Sequence, residues 1–283
     1  MASFQPSTIN IPDLQQSSNG VQWLAVPAWL SLDWLWHGFS TRKGGVSRAY
    51  LPDAIAKDLR GELNLGFTSA DTRELVQENR YRFAEAVTGN REAELATVRQ
   101  VHSAVTTVKR EGLSGAPEEA DGIMSDRAGV LLAIQTADCI PVLVADPVRK
   151  AVAAFHAGWR GTLQGIVERG VARMQAEFGS DPADLIAAIG PGIGPCCYTV
   201  GDEVRKEFEG RLPYAAALFP EDAGPGLRLD LIEANRRQLM IAGLNAGAVS
   251  VVGGCTGCQP EFFYSHRTSS GHAGRMMSVI GVR

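Results

Sequence analysis

The sequence predicts a mixed α/β protein on three observations: apolar segments of strand length recur along the chain, amphipathic segments of helical length alternate with them, and turn residues separate the two. With 283 residues, 45% of them hydrophobic, the chain can bury a substantial core. No short-period repeat or low-complexity linker follows the first twenty residues. A single domain over residues 21–283 is therefore expected, preceded by a disordered tail over 1–20.

Taken in order, VQWLAV (21–26) and WLWHGFST (34–41) read as strands, and 72–89 carries the apolar spacing of a helix. The middle of the chain is richer in strands, with segments at 104–109, 129–136, 140–146 and 150–158. Residues 162–179 read as one helix ending in glycine, followed by an apolar segment at 185–190 and helices at 201–210 and 230–243. Strands at 248–254 and 274–282 complete the chain, and polar residues collect at the strand ends.

A formal charge of −4 with scattered Lys and Arg gives no general attraction to nucleic acid or to an anionic membrane, so an anionic substrate has to be held locally. The N-terminus has no basic patch followed by an apolar core. The most apolar region, 130–144, is interrupted by Gln135, Thr136, Asp138 and Pro141 and falls short of the roughly 20 residues that span a bilayer. Five cysteines make no disulfide framework, and a cytoplasmic location is expected.

The chemistry concentrates around Cys139, set after Asp138 in TADCIPVLVADP, with His102 in VRQVHS before it and His156 in FHAGWRGT after it. These residues lie at strand ends. They admit three readings: an inert core thiol, a thiolate nucleophile with a histidine base, or a His-Cys-His metal site whose fourth position stays open. Asp138 is misplaced to orient a base unless the backbone bends there, because adjacent strand residues point to opposite faces.

Other motifs are weaker. STRKGGVS (40–47) carries Arg42 and Lys43 on a Gly-rich turn that suits an anion. IGPGIGPCCYTVGDEV (189–204) fails the dinucleotide fingerprint at Pro195, and its Cys196 and Cys197 read as packing. CTGC (255–258) is a CxxC without a second pair and so gives little support to structural zinc. The segment after it mixes aromatics with His266, Arg267, His272 and Arg275, a set suited to a planar or anionic ligand.

STRKGGVS, LNLG (63–66), QVHS, TADCIPVL, HAGWRGT, IGPGIGPCCYTVGDEV and FFYSHRTSSGHAGR together resemble, in order, the motifs of the YfiH/laccase-domain family. Its members are described as purine nucleoside phosphorylases, polyphenol oxidases and peptidoglycan editing factors. The resemblance implies a four-layer α-β-β-α domain with mixed sheets, and one Zn2+ held by His102, Cys139 and His156. It also implies phosphorolysis of adenosine, inosine, guanosine or methylthioadenosine, with adenosine deamination at the same site.

On that resemblance Asp138 is expected to carry a proton or steady a metal ligand, and Cys139 and His102 take part in catalysis as ligands. Arg42 and then Arg160 are expected to hold phosphate, and Asn64 the ribose or base. The last motif departs from the family at His266 and Thr268. Copper is the lesser alternative, since five histidines without a His-x-His pair do not build a multicopper cluster. Amide hydrolysis in cell-wall precursors is the alternative activity. The expected partners are purine nucleosides and phosphate, with the chain a monomer or weak homodimer.

Overall fold

Strands that are apolar at nearly every position must be covered on both faces, and residues 130–136, 140–146 and 151–157 are buried almost throughout. The computed structural model describes residues 13–51, 61–110 and 116–283. Strands β1 (Leu14–Gln16), β2 (Gln22–Leu24), β3 (Leu35–Ser40) and β4 (Lys43–Ser47) precede helix α1 (Arg73–Thr88). Strands β5 (Glu94–Thr97), β6 (Thr106–Val108), β7 (Gly122–Ser125), β8 (Val130–Thr136), β9 (Ile140–Asp146) and β10 (Ala151–Ala157) follow. Helices α2 (Trp159–Leu163) and α3 (Ile166–Phe178), strand β11 (Ile186–Ile189), helices α4 (Asp202–Glu209) and α5 (Leu231–Ile241), and strands β12 (Val249–Val251) and β13 (Met276–Val282) complete the chain.

All the strands but β4 form two mixed six-stranded sheets, ordered β1-β2-β3-β13-β8-β5 and β12-β11-β9-β10-β7-β6. Period-two alternation builds the layers. In β8, Val130, Leu132 and Ile134 join the core between the sheets, while Leu131 and Ala133 face α1. In β9, Leu143 and Ala145 enter that same inner core, while Ile140, Val142 and Val144 meet the core under α3 and α5. The result is the expected α-β-β-α stack. Gly170 lets α3 lie close on β10, because a Cβ there would sit 2.3 Å from the Phe155 ring.

Several elements differ from expectation. Leu14–Gln16, inside the expected tail, pairs with β2, and residues 13–20 of that tail are described, whereas 1–12 lie outside the described residues. The helix expected over 162–179 is two helices, because Gly165 adopts a left-handed φ of 73° between them. The Gly-Gly turn of STRKGGVS is a strand whose glycines allow backbone to meet backbone: a Cβ on Gly45 would lie 2.3 Å from the Glu62 carbonyl oxygen. Strands β5 and β7 are too short for their periodicity to show. No helix among the described residues is long and apolar enough to cross a membrane.

His37, in β3, is buried, and its Nε2 accepts the Val26 N–H at 2.9 Å. Burial, with Arg283 nearby, pushes its pKa down to about 4 from an ordinary 6.5. The unfolded chain therefore takes up this proton near pH 6.5 and the folded chain only near pH 4. The associated stability, about 3 kcal/mol, is complete above pH 6.5 and lost as pH falls through the folded value. His37→Gln, which keeps an acceptor for Val26 but does not titrate, should flatten urea stability between pH 7 and 4 by about that amount. Parallel pH profiles for the two proteins would contradict this assignment.

Candidate metal centre

The loops leaving the strand ends gather His102, Cys139 and His156. His156 is the penultimate residue of β10, Cys139 immediately precedes β9, and His102 lies on the loop between β5 and β6. One ligand atom from each comes within 4.8 Å of the others, with Cys139 Sγ 4.0 Å from His102 Nε2. TADC is a bend between strands in which Asp138 has a φ of 90°, and this frees Cys139 from the alternation that would have turned it away. His102 likewise has a φ of 59°. Two of the four non-glycine residues with positive φ among the described residues thus shape this site.

Asp121, at the foot of β7 and fully buried, organises the cluster. Its carboxylate accepts the backbone N–H groups of Val101, His102 and Ser103, the Ser103 hydroxyl, and Nδ1–H of His156 at 2.8 Å. Holding the proton on Nδ1 leaves Nε2 of His156 as the ring nitrogen with a lone pair to offer. Burial alone would raise the Asp121 pKa, but His156 and Ser103 outweigh it and hold the carboxyl low. Burial also opposes ionisation of Cys139 and His156, yet each stabilises the other's charge, so the thiol is shifted down and the imidazole up.

Two imidazoles and a thiolate, one imidazole anchored by a carboxylate, match the donor set of a three-ligand zinc site. Space around them is tight. A Cβ on Gly158 would lie 3.1 Å from both Cys139 Sγ and His102 Cδ2. Gly158 has a φ of −70°, which alanine adopts without strain, so Gly158→Ala should leave urea stability within about 1 kcal/mol. It should weaken metal affinity by about ten- to a hundredfold through crowding alone, as a chelator competition would show. Unchanged affinity would mean that the ligands do not converge here.

The cluster opens into a cavity of about 620 Å³ lined by Phe67, Arg99, Tyr198, His266, Arg267 and Arg275, among others. Arg99 pairs with Glu119, whereas Arg267 and Arg275 have no carboxylate partner among the described residues. The Arg267 guanidinium donates to the Thr199 carbonyl and stacks 5.1 Å from the Tyr198 ring. Asp138 lines the same cavity and accepts from Thr256 Oγ1 at 2.6 Å and from the Arg267 N–H at 2.7 Å.

The anion-binding residues expected from the sequence are not brought to this cavity. Arg42 forms a two-pronged ion pair with Glu62, stacks on Tyr264 and borders a different hollow. Arg160 stacks on Trp159 beside α4. Asn64 is fully buried, with its amide shared among Gly66, Asp71 and the Arg275 N–H, so it positions Arg275 rather than facing a ligand. Arg267 and Arg275 occupy the place assigned to them, and so does His266; His272 borders the neighbouring hollow. Sequence reasoning missed Asp121, whose only local signal is an Asp-Gly pair at the start of a short strand.

Fold and site together define a two-sheet α/β protein with a His-Cys-His metal-ligand cluster at the mouth of a cationic cavity. The chain belongs to the family described as multi-copper polyphenol oxidoreductase laccase, whose model matches residues 36–283. It is 39% identical over 255 residues to "Purine nucleoside phosphorylase YlmD" of Geobacillus stearothermophilus, covering 87% of this chain and 89% of that one. It is 36% identical over 259 residues to "Purine nucleoside phosphorylase YfiH" of Escherichia coli, covering 91% and 98%. The solved structure of Bacillus licheniformis hypothetical protein YfiH superposes with a TM-score of 0.82 at 32% identity, over 95% of this chain and 99% of that one.

Proposed function

We propose that this chain is a zinc-dependent purine nucleoside phosphorylase whose site is the His102, Cys139 and His156 cluster, and that the same cavity deaminates adenosine. The observation that carries this reading is the convergence of three zinc-type ligands with two guanidinium groups that lack carboxylate partners, Arg267 and Arg275, in one cavity. The names of the relatives support it. A zinc ion held by His102, Cys139 and His156 would supply a Lewis acid.

Arg267 and Arg275 hold the phosphate against C1′ of the ribose, and Tyr198 and Phe67 give the purine apolar surface. A phosphate oxygen bonds to C1′ as the C1′–N9 bond breaks, and the departing purine takes a proton. We assign Asp138 to relay that proton, taking it from dihydrogen phosphate and passing it to the purine. Its two hydrogen bonds leave acceptor capacity in the carboxylate, and the Arg267 backbone N–H ties it to the residue whose guanidinium holds the anion. Inosine with phosphate should yield hypoxanthine and ribose 1-phosphate in equal amounts, and adenosine should yield adenine and inosine. Free ribose in place of ribose 1-phosphate would overturn the phosphorylase reading. Asp138→Asn, whose Oδ1 can accept the Arg267 N–H while its NH2 donates to the Thr256 hydroxyl, and which tolerates the φ, should lower kcat by about 10²-fold or more with metal content unchanged.

The placement of the histidines gives little support to a multicopper oxidase. Apart from the clustered pair, His37 is bonded inside a sheet, and His266 and His272 lie on the loop before β13. A metal-free reading is favoured by the Cys139, His156 and Asp121 alignment, which resembles a nucleophile-base-orienter triad. His102 against the same sulfur distinguishes the site from such a triad, because a thiolate nucleophile needs only one imidazole.

A further inference from the structure

Some distance along the chain, the GPCCY loop after β11 and the CTGC loop after β12 meet, and their four cysteines converge. The sulfurs of Cys196, Cys197, Cys255 and Cys258 all lie within 4.8 Å of one another. Cys258 Sγ is 3.3 Å from that of Cys196 and 3.4 Å from that of Cys197. CTGC does have a second pair, hidden from spacing rules because its members are adjacent residues about 60 positions away. We propose that these four thiolates form a second, closed zinc site, structural in role and separate from the His102, Cys139 and His156 centre.

The geometry favours a tetrathiolate over a disulfide. Zinc–sulfur bonds of about 2.3 Å place tetrahedral sulfurs about 3.8 Å apart, within the spread found here. A disulfide would satisfy two of the four, whereas Cys258 stands nearly equidistant from two partners. The backbone is arranged as in a zinc-binding turn: the Gly194 N–H donates to Cys255 Sγ at 3.2 Å, and the Cys258 N–H donates to the Cys255 carbonyl at 3.2 Å. The close approach of the loops also requires glycine. A Cβ on Gly257 would lie 2.9 Å from Cys197 Cβ. Among the described residues no His, Asp or Glu joins the group, so the four sulfurs make a complete tetrahedral donor set, the character of a structural rather than a catalytic site.

The consequence reaches the cavity. The two loops are joined by a bridge between Gly192 and Cys255 and by the Thr256 N–H to the Gly192 carbonyl. Next to these cysteines, Tyr198 lines the cavity and Thr256 bonds Asp138. A metal crosslink between the loops holds the wall that positions Asp138, Tyr198 and Arg267, and it does so without a disulfide, as a reducing compartment requires.

Native mass spectrometry of reduced protein, saturated with zinc and desalted against a weak chelator, tests the proposal. The wild type should carry about two zinc ions per chain. Cys258→Ser and Cys196→Ser should each lose about one, Cys139→Ser should lose the other, and Cys139→Ser/Cys258→Ser should lose both. Cobalt substitution should give the wild type a tetrathiolate visible spectrum that Cys258→Ser lacks and Cys139→Ser keeps. A wild type whose bound cobalt shows no tetrathiolate spectrum overturns the proposal, and this outcome needs no variant to fold. So does a disulfide linking Cys258 to Cys196 or Cys197 in zinc-saturated protein, found by peptide mapping.

Discussion

Cys139→Ser should weaken zinc binding at the His102 centre by about 10²-fold or more and reduce phosphorolysis of inosine by a similar factor. Zinc binding worth about 10 to 16 kcal/mol over four ligands allots roughly 3 kcal/mol to each, and a serine hydroxyl does not ionise to replace a thiolate at neutral pH. The two imidazoles that remain are neutral donors, so the ion also loses the one anionic ligand on it. The fold should tolerate the change, because serine is the smaller isostere and the Asp121 network does not include Cys139. Metal analysis and turnover on the same preparation decide the matter: loss of activity with full metal content would turn Cys139 from a ligand into a nucleophile.

Asp121→Asn should have the second largest effect, on both stability and metal affinity. Five donors converge on a carboxylate with no solvent exposure, and an asparagine amide presents its NH2 to some of them. Mispairing buried donors in this way costs about 2 to 4 kcal/mol in a urea titration. Where that NH2 faces Nδ1 of His156, the ring proton moves to Nε2 and occupies the lone pair a metal needs. Zinc affinity should then fall about ten- to a hundredfold by chelator competition. A variant that loses stability but keeps its affinity would show that Asp121 braces the loop without setting the histidine tautomer.

How far the sequence led can be seen in particular residues. The strand ends at Thr136, Ile140 and Ala157 were legible from apolar runs, and with them the places where Cys139 and His156 emerge. Their convergence was not, because it depends on pairing β9 with β10 and on a φ of 90° at Asp138, neither of which leaves a trace in spacing. The resemblance to the YfiH/laccase-domain family supplied the ligand set that periodicity left open. Motif position misled where motif residues serve the frame. Arg42 and Asn64 stand in recognisable stretches, yet one is neutralised by Glu62 and the other is buried beneath the loop that carries Arg275. Asp121 and the four-cysteine cluster escaped for the opposite reason, since each acts through contacts distant in sequence that no local pattern announces.

Whether a metal at His102, Cys139 and His156 drives phosphorolysis is decided by removing it and putting it back. Hypoxanthine release from inosine is followed with and without phosphate in protein stripped of metal and then titrated with zinc. No turnover is expected in the stripped protein or without phosphate, and recovery should saturate in the wild type but not in Cys139→Ser. Full phosphate-dependent turnover by metal-free protein would contradict it.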